Sequence, residues 1–317
     1  MTGRAGFFLP KLMVGLAARR QLLILTYHRV LPEPDPLLPS EPTGEQFREQ
    51  LEILLRSCTI LPLADALERV GNGTLPRAAV SITFDDGYRN NYSVALPALR
   101  DYGLAATFFV ATRYVNGGLM WNDRIIESIR ACKAGELDMT DVGLGKHELR
   151  SDEQRIRAMS RLLSQVKYLA PPDRAAAIDA VTMRTATELP ERFMLTSDEI
   201  RALRAAGMTI GAHTVNHPIL AKLSEREAKE EIEASKRDLE TILGERVTLF
   251  AYPNGKPGAD YSPENVESVR GAGFAAAFTT APGSVTRVTR MLELPRVAIW
   301  RSTPLRTQVN LLRAYRS

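Results

Sequence analysis

The chain has 317 residues, of which 44% are hydrophobic and 25% charged, a mix typical of a globular protein with a buried core. Its formal net charge is only +4, and arginines interleaved with glutamates argue against a nucleic-acid-binding stripe but suit an anionic partner, such as a membrane surface or an acidic glycan. Cys58 and Cys132 each lack a second cysteine nearby, which argues against a metal knuckle or redox pair and favours a reducing compartment.

Residues 1–21 contain an apolar stretch, GFFLPKLMVGLAARR, that Pro10 and Lys11 interrupt. The stretch is too short to span a bilayer and has no clear cleavage site. We predict an amphipathic lead-in helix packed on the domain surface; the alternative is a peripheral membrane anchor, which the apolar residues followed by Arg19 and Arg20 would permit. We therefore expect a cytoplasmic protein, or one held peripherally at the inner face of the membrane. The sequence indicates no oligomeric state.

The remaining residues, 22–317, alternate short apolar runs with helix-periodic stretches, as parallel strands joined by crossover helices do. Capping-box spacings at Thr196 and Ser224 mark two helix starts, and Gly244 ends the second helix. The runs are almost continuously apolar, as expected of strands buried on both sides. We predict a parallel α/β barrel with strands LLILTY, AVSITF, AATFFVA, MTIGAH, TLFAYP, FAAAFTT and LPRVAIW.

Between residues 113 and 195 the pattern becomes arginine-rich and helix-periodic, without a strand-like run. It predicts a helical insertion on one barrel loop. Trp121, Asn122 and Asp123 begin this insertion just after a strand end, where they would lie over a site as sugar contacts. An ordinary helix start capped by Asn122 is the alternative. His147, within the insertion, is predicted to be a surface residue.

Two adjacent acids follow the predicted strand AVSITF, in the motif TFDDGY at residues 83–88. Neighbouring carboxylates repel each other and resist desolvation unless a cation or a shared proton relieves them. Asp85 and Asp86 therefore indicate a metal site or acid–base chemistry. An exposed turn is the alternative, because DDG is also a turn sequence.

A second polar motif, HTVNH, follows the apolar strand MTIGA and contains two of the chain's four histidines. If the backbone turns helically there, His213 and His217 lie on one face and can reach one ion. Two histidines and one carboxylate form a common catalytic zinc set with an open position for water. Structural or surface histidines are the alternative for the pair taken alone.

The order TFDDG then HTVNH, with both motifs at strand ends, resembles the polysaccharide deacetylases of carbohydrate esterase family four. The resemblance covers roughly residues 22 to 300 apart from the insertion, and implies a distorted (β/α)7-type barrel. It implies that Asp85 is the general base and that Asp86, His213 and His217 hold one divalent cation. Zinc is the first expectation, and cobalt, nickel or iron would suit the same ligands.

The family's R-x-P-Y element corresponds here to FAYPNG, in which Ala251 replaces the arginine and Asn254 the tyrosine. The resemblance implies that the backbone N–H of Asn254 helps to bind the oxyanion, since any side chain leaves that donor in place. Arg296, in LPRVAIW, is our candidate for the guanidinium that orients the base. An ordinary surface arginine is the alternative.

The family also uses a late histidine as general acid, but no histidine follows His217 in this chain. Instead the first predicted strand ends in TYHRV, which resembles a circularly permuted branch of the family. The first and last strands of a closed barrel are neighbours, so permutation leaves the site intact. We therefore expect His28 to be the general acid, with a structural histidine as the alternative.

Substrate contacts are expected from Trp300 and Leu294 around the acyl methyl group, and from Trp121 and Tyr88. Core packing is the alternative for Leu294. The function implied is metal-dependent removal of N-acetyl groups from an amino-sugar-containing glycan or glycan precursor. A deformylase or a deacetylase of a lipid-linked sugar is a variant of it, and an inactive glycan-binding or scaffold barrel in a biosynthetic complex is the alternative from another class.

Overall fold

A computed structural model describes residues 20–186, 188–190, 193–298, 309, 311 and 313–315. The predicted lead-in helix therefore lies outside the described residues, apart from Arg20 and Gln21. Among the helices that the structure describes, none is both long enough and apolar enough to cross a bilayer.

All the predicted apolar runs contain a strand of one main sheet, whose pairings are all parallel. The predicted fold class is confirmed. The strands are β1 (Leu22–Tyr27), β2 (Thr59–Ile60), β3 (Ala79–Phe84), β4 (Thr107–Val110), β5 (Glu136–Met139), β6 (Gly145–Glu148), β7 (Thr209–Ala212), β8 (Leu249–Ala251), β9 (Ala276–Phe278) and β10 (Val297–Ala298), with β5 and β6 outside the main sheet.

Helices cover the outside of this sheet, and both predicted capping boxes are present, at Thr196 and Ser224. The helix that starts after Ser224 ends before Gly244, whose φ of 70° is the left-handed conformation that terminates helices. The helices are α1 (Gly44–Ser57), α2 (Leu63–Asn72), α3 (Leu96–Asp101), α4 (Trp121–Ala131), α5 (Asp152–Val166), α6 (Pro171–Thr185), α7 (Ser197–Ala205), α8 (Glu225–Leu243) and α9 (Pro263–Gly271).

The sheet closes into a distorted barrel through the segment that precedes β10. The strand order is β10-β1-β3-β4-β7-β8-β9, so β9 and β10 are its two ends. Leu294 bridges β9, since its N–H donates to the Ala277 carbonyl at 2.8 Å and its carbonyl accepts from Thr279 at 2.9 Å. A few residues later Val297 pairs with Leu25 of β1. One short segment therefore joins both ends of the sheet.

One face of the strands forms the barrel interior, where apolar side chains such as Ile24, Phe109 and Phe278 pack in a single cluster. Side chains alternate along a strand, so the same face of β1 and β3 continues as Thr26 and Thr83, whose hydroxyl oxygens are 3.1 Å apart. The interior therefore becomes polar towards the carboxyl ends of the strands, the end at which barrel enzymes place their sites.

The insertion contains α4, α5 and α6 but also the antiparallel hairpin β5–β6, so the prediction that it lacks strands is wrong. Each hairpin strand has four residues, too few for alternation to be distinguished from a helix edge. His147 pairs with Leu137 and is only 4% exposed, with a ring nitrogen 2.9 Å from the Leu144 carbonyl. Its predicted surface position is therefore wrong, because the hairpin turns this side chain into the insertion's own core.

Candidate metal centre

A cavity of about 530 Å³ opens at the carboxyl ends of the barrel strands. It brings together most of the residues singled out from the sequence, although they come from distant parts of the chain. Its lining comprises Thr26, His28, Asp85, Asp86, Trp121, Asn122, Leu163, Ser164, Lys167, His213, His217, Asn254, Thr280, Arg296 and Ala298.

Asp86, His213 and His217 converge in this cavity. The Nε2 atoms of both histidines lie 3.4 Å from Oδ1 of Asp86, and the three side chains are buried. One potential ligand atom from each residue lies within 4.8 Å of the other two. This spacing is compatible with three ligands around one ion.

A left-handed turn at the end of β3 points Asp86 away from Asp85. Asp86 has a φ of 75° and Gly87 a φ of 86°. A Cβ atom at Gly87 would lie 2.9 Å from Cγ1 of Val110, so only glycine allows this turn to pack against β4. Adjacent carboxylates can therefore serve separate partners instead of facing each other.

The HTVNH segment does not turn helically, so that part of the prediction is wrong. Thr214 and His217 have φ values of 64° and 51°, and these left-handed residues bring the two imidazoles together. Glu231 of α8 holds the turn, since its carboxylate accepts the N–H groups of Val215 at 2.9 Å and Asn216 at 2.8 Å. The histidine geometry therefore depends on a long-range anchor.

The three residues fit a divalent cation. Oδ1 of Asp86 is buried and accepts no hydrogen bond from any residue that the structure describes, which is costly unless a cation satisfies it. Nδ1 of His213 lies 2.7 Å from the Ala251 carbonyl, which can only accept, so Nδ1 carries a proton and Nε2 is the nitrogen that faces Asp86. The Asp86 and Asp85 carboxylates outweigh burial and raise the pKa of His213, whereas burial lowers the pKa of His217 to about 3, so the His217 imidazole is neutral. The donors are those of a zinc-type site.

Asp85 lies beside this triad and forms a bidentate ion pair with Arg296. Nη1 and Nη2 of the guanidinium each lie 2.7 Å from one carboxylate oxygen. Both side chains are buried, at 2% and 1% exposure, so Arg296 is not a surface arginine. Burial alone would raise the pKa of Asp85, but the charge and hydrogen bonds of Arg296, together with the nearby His213 and His28, outweigh it and hold the pKa below its ordinary value. Asp85 is therefore ionised at neutral pH.

His28 and Asn254 line the same cavity although they are far apart in the sequence. His28 follows β1, and its carbonyl accepts a hydrogen bond from Nδ2 of Asn91 at 2.9 Å, which fixes the backbone there. Asn254 has a φ of 58°, and its carbonyl accepts a hydrogen bond from the Thr280 hydroxyl. Both residues thus line the cavity that contains the candidate metal centre, and their catalytic roles stay predictions.

The predicted substrate contacts divide into two groups. Trp121 and Asn122 both line the cavity. Nε1 of Trp121 and Oδ1 of Asn122 are buried, and neither atom has a hydrogen-bond partner in the described part of the chain. Tyr88, by contrast, is buried and donates to the Asp123 carboxylate at 3.0 Å, so it does not line the cavity. Its orientation depends on the left-handed turn before it, which the sequence does not reveal.

Leu294 is fully buried in the barrel interior and packs in one cluster with Phe278, so its predicted contact with an acyl group is wrong. The bridge to β9 that closes the barrel turns it inward. Trp300, the other predicted acyl contact, lies outside the described residues.

Two features of the site differ from the sequence analysis or were missed by it. Asp123 was expected as a sugar contact, but it is a buried carboxyl group that does not line the cavity, and burial raises its pKa to about 7; in the sequence it resembles an ordinary acid in the first turn of a helix. Leu163, Ser164 and Lys167 bring the end of α5 into the cavity wall. No local pattern marks these residues, because the packing of the insertion on the barrel places them there.

A family model described as polysaccharide deacetylase matches residues 72–277. A curated relative, the putative polysaccharide deacetylase YxkH of Bacillus subtilis, is 22% identical over 220 residues, or 69% of this chain and 51% of the relative. The chain thus spans about half the length of that relative. Two solved structures share the fold: the Streptococcus pyogenes deacetylase PplD in complex with acetate (TM-score 0.61, 19% identity, 92% of this chain and 98% of that one), and IcaB from Ammonifex degensii (TM-score 0.59, 20% identity, 94% and 98%).

The segment matched by the family model contains both polar motifs, with Asp85, Asp86, His213 and His217. His28 precedes it and Arg296 follows it. The cavity therefore combines residues inside the matched segment with residues outside it, His28 and Arg296 among them.

Proposed function

The chain belongs to the polysaccharide deacetylase family, and from this premise we propose that it is a metal-dependent hydrolase that removes N-acetyl groups from an amino-sugar-containing glycan or glycan precursor. The observation that carries the proposal is the buried set of Asp86, His213 and His217 beside Asp85, which Arg296 keeps ionised. A metal-dependent hydrolytic site needs ligands for a cation, a base and an open cavity, and all three requirements have candidates here.

Asp86, His213 and His217 would hold the cation, for which zinc, cobalt, nickel and iron are all chemically suitable. When bound, such a cation lowers the pKa of a water molecule and polarises a carbonyl group. The imidazole of His213 is oriented for this purpose by the Ala251 carbonyl, which accepts a hydrogen bond from its Nδ1–H.

Asp85 is proposed as the general base that takes a proton from the attacking water. Its bidentate contact with Arg296 leaves one favoured orientation of the carboxylate and prevents it from turning towards the cation ligands. Because the same contact lowers its pKa, Asp85 is unprotonated over the whole neutral range. Arg296 is therefore a positioning residue in this scheme, and it replaces the arginine that position 251 lacks.

Two further groups complete the proposed reaction. As water adds to the acyl carbon, the carbonyl oxygen gains negative charge, and the backbone N–H of Asn254 is proposed to donate to it. An amine is a poor leaving group until its nitrogen is protonated, and His28 is proposed to deliver that proton as the C–N bond breaks. The products are acetate and a free amino sugar.

The position of His28 is supported by the pairing of β1 with β3. Tyr27, the last residue of β1, pairs with Phe84, so His28 emerges next to Asp85 although 57 residues separate them in sequence. This is the arrangement expected of a barrel in which the strand with the acid histidine stands first in the chain.

The experiment that tests the proposal is a measurement of acetate release from N-acetylated chitooligosaccharides, with and without a chelator and with added zinc or cobalt. We expect release that the chelator abolishes and the added metal restores. Formate release from N-formylated sugars, or activity on lipid-linked N-acetyl sugars alone, would define the variant reaction. If the metal-loaded protein releases neither acetate nor formate from any of these substrates, the enzymatic proposal is overturned and a glycan-binding barrel is favoured.

A further inference from the structure

The last turn of α5 forms one wall of the metal cavity. Leu163, Ser164 and Lys167 line the cavity, whereas Leu162 and Val166 are fully buried in the core of the insertion. The two groups lie on different sides of the same helix. Because Leu162 and Val166 are packed in the core of the insertion, the other side of the helix is held facing the cavity. The insertion thus contributes side chains to the cavity without contributing a cation ligand or the base.

This wall is attached to the barrel on the side of the proposed oxyanion donor. The Tyr168 hydroxyl, next to Lys167, donates to Oδ1 of Asp260 at 3.2 Å. Oδ2 of Asp260 accepts the N–H of Lys256 at 2.9 Å, in the loop that follows Asn254. Because one buried carboxylate joins both segments, the end of α5 has a defined position relative to the site.

Lys167 is the unexplained charge in this wall. Its side chain is partly buried, and its ammonium lies 5.1 Å from the centre of the Tyr168 ring. No carboxylate of the described residues lies within 4.0 Å of the ammonium, whereas Lys146 in the same insertion pairs with Asp138 at 2.9 Å. The cavity therefore contains a cation for which the described part of the protein supplies no counter-ion.

The two acids that line the cavity, Asp85 and Asp86, do not compensate this charge. Asp85 is neutralised by Arg296, and Asp86 faces the two histidines. A divalent cation held by Asp86 would exceed the charge of that single carboxylate, which leaves the cavity with excess positive charge. A low-dielectric cavity of one sign concentrates ligands of the other sign.

We propose that Lys167 binds an anionic oxygen group, a carboxylate or a phosphate, that the substrate carries close to its N-acyl sugar. This inference rests on the proposed function and extends it to a substrate class. Trp121 and Asn122 line the same cavity, and each has a buried polar atom, Nε1 and Oδ1, without a hydrogen-bond partner among the described residues; after a small side-chain rotation these atoms would offer a donor and an acceptor to the sugar itself. Lys167 would then discriminate between charged and neutral sugars.

The test compares three N-acetylated probes: N,N′-diacetylchitobiose, which is neutral, N-acetylglucosamine 1-phosphate, and a disaccharide of N-acetylglucosamine and glucuronic acid. Lys167→Met should raise KM about tenfold for one or both anionic probes, and leave KM for the neutral probe unchanged. The anionic probe that responds identifies phosphate or carboxylate as the recognised group. Lys133→Met is the matched control, because Lys133 is an exposed lysine of the insertion that does not line the cavity.

Binding of the same probes to Asp85→Asn, measured by calorimetry with and without Lys167→Met, separates recognition from turnover. Binding of an anionic probe that Lys167→Met weakens, without acetate release by the wild type from any probe, would support this inference and overturn the proposed function. Acetate release that is equally efficient on neutral and anionic probes, and unaffected by Lys167→Met, would overturn this inference and support the function. Absence of any Lys167-dependent binding also overturns it.

Discussion

The Arg296 guanidinium contacts both carboxylate oxygens of Asp85 at 2.7 Å, although 211 residues separate the two side chains in the chain. Nε of the same guanidinium donates to the Thr279 carbonyl at 3.0 Å, so the arginine is itself held in place by the segment after β9. The closure of the barrel and the positioning of the proposed base therefore depend on the same segment.

Removal of Arg296 should leave a buried, unpaired carboxylate. We expect Arg296→Met to lower the free energy of unfolding by about 3–5 kcal/mol, the usual cost of removing one partner of a buried ion pair while the other stays buried. The double variant Asp85→Leu, Arg296→Met removes both charges and should recover most of this loss. Urea titration of the three proteins measures the effect, and a double variant as unstable as the single one would contradict it.

Glu231 should control metal affinity without touching the cation, because it holds the turn that carries the two histidines. We expect Glu231→Gln to weaken zinc binding about 10- to 100-fold, as the loss of outer contacts around ligands commonly does. Competition with a chromophoric chelator measures the affinity. Glu230→Gln, at an exposed position on the same helix, is the control, and equal affinities for the two variants would show that the turn does not need this anchor.

His28 should matter most when the leaving group needs a proton. We expect His28→Gln to lower kcat for N-acetyl sugars by about 10²–10⁴-fold, and to affect hydrolysis of p-nitrophenyl acetate much less, because nitrophenolate leaves unprotonated. Asp85→Asn should slow both reactions, since both need the attacking water. An equal loss on amide and ester in His28→Gln would contradict the role of general acid.

Asp123 should make the protein less stable as the pH rises. Burial raises its pKa from 3.8 to about 7, and its neighbours Arg29, Asp86, Glu127 and Tyr88 modify that value. The folded state therefore holds this proton more tightly than the unfolded state does. The resulting stability is complete below about pH 4 and is lost as the pH rises through about 7.

We expect Asp123→Asn to remove this loss. Between pH 4 and pH 8, the stability of the variant relative to wild type should rise by up to about 4 kcal/mol, in proportion to the pKa shift. Thermal and urea unfolding of chelator-treated protein measure the difference without a contribution from metal binding. Parallel pH profiles for the two proteins would contradict the assignment.

The strands and the two polar motifs were predictable because their signals are local. β3 corresponds to the predicted run AVSITF, and Asp85 follows it directly. Both polar motifs directly follow predicted strands, and their residue types and the resemblance to the deacetylases implied that Asp86, His213 and His217 share one cation. Arg296 and His28 could be proposed because a closed barrel makes its first and last strands neighbours.

The remaining parts of the site depend on backbone conformation and on packing between distant segments. Tyr88 was expected in the cavity, but the positive φ of Asp86 redirects the chain and leaves this side chain against Asp123. Lys167 reaches the cavity because α5 packs on the insertion core, an arrangement that no short motif encodes. Local sequence patterns therefore identified the candidate metal ligands and the candidate base, but they did not identify the residues of the cavity wall.

The most direct measurement is zinc content beside acetate release for Asp85→Asn and Asp86→Ala. Asp85→Asn should keep one zinc per chain and lose turnover by at least about 10²-fold, because the proposed base is removed and the ligands remain. Asp86→Ala should lose metal and turnover together. Near-normal acetate release by zinc-loaded Asp85→Asn would contradict the role of Asp85 as general base. Full zinc retention in Asp86→Ala would contradict the role of Asp86 as a cation ligand.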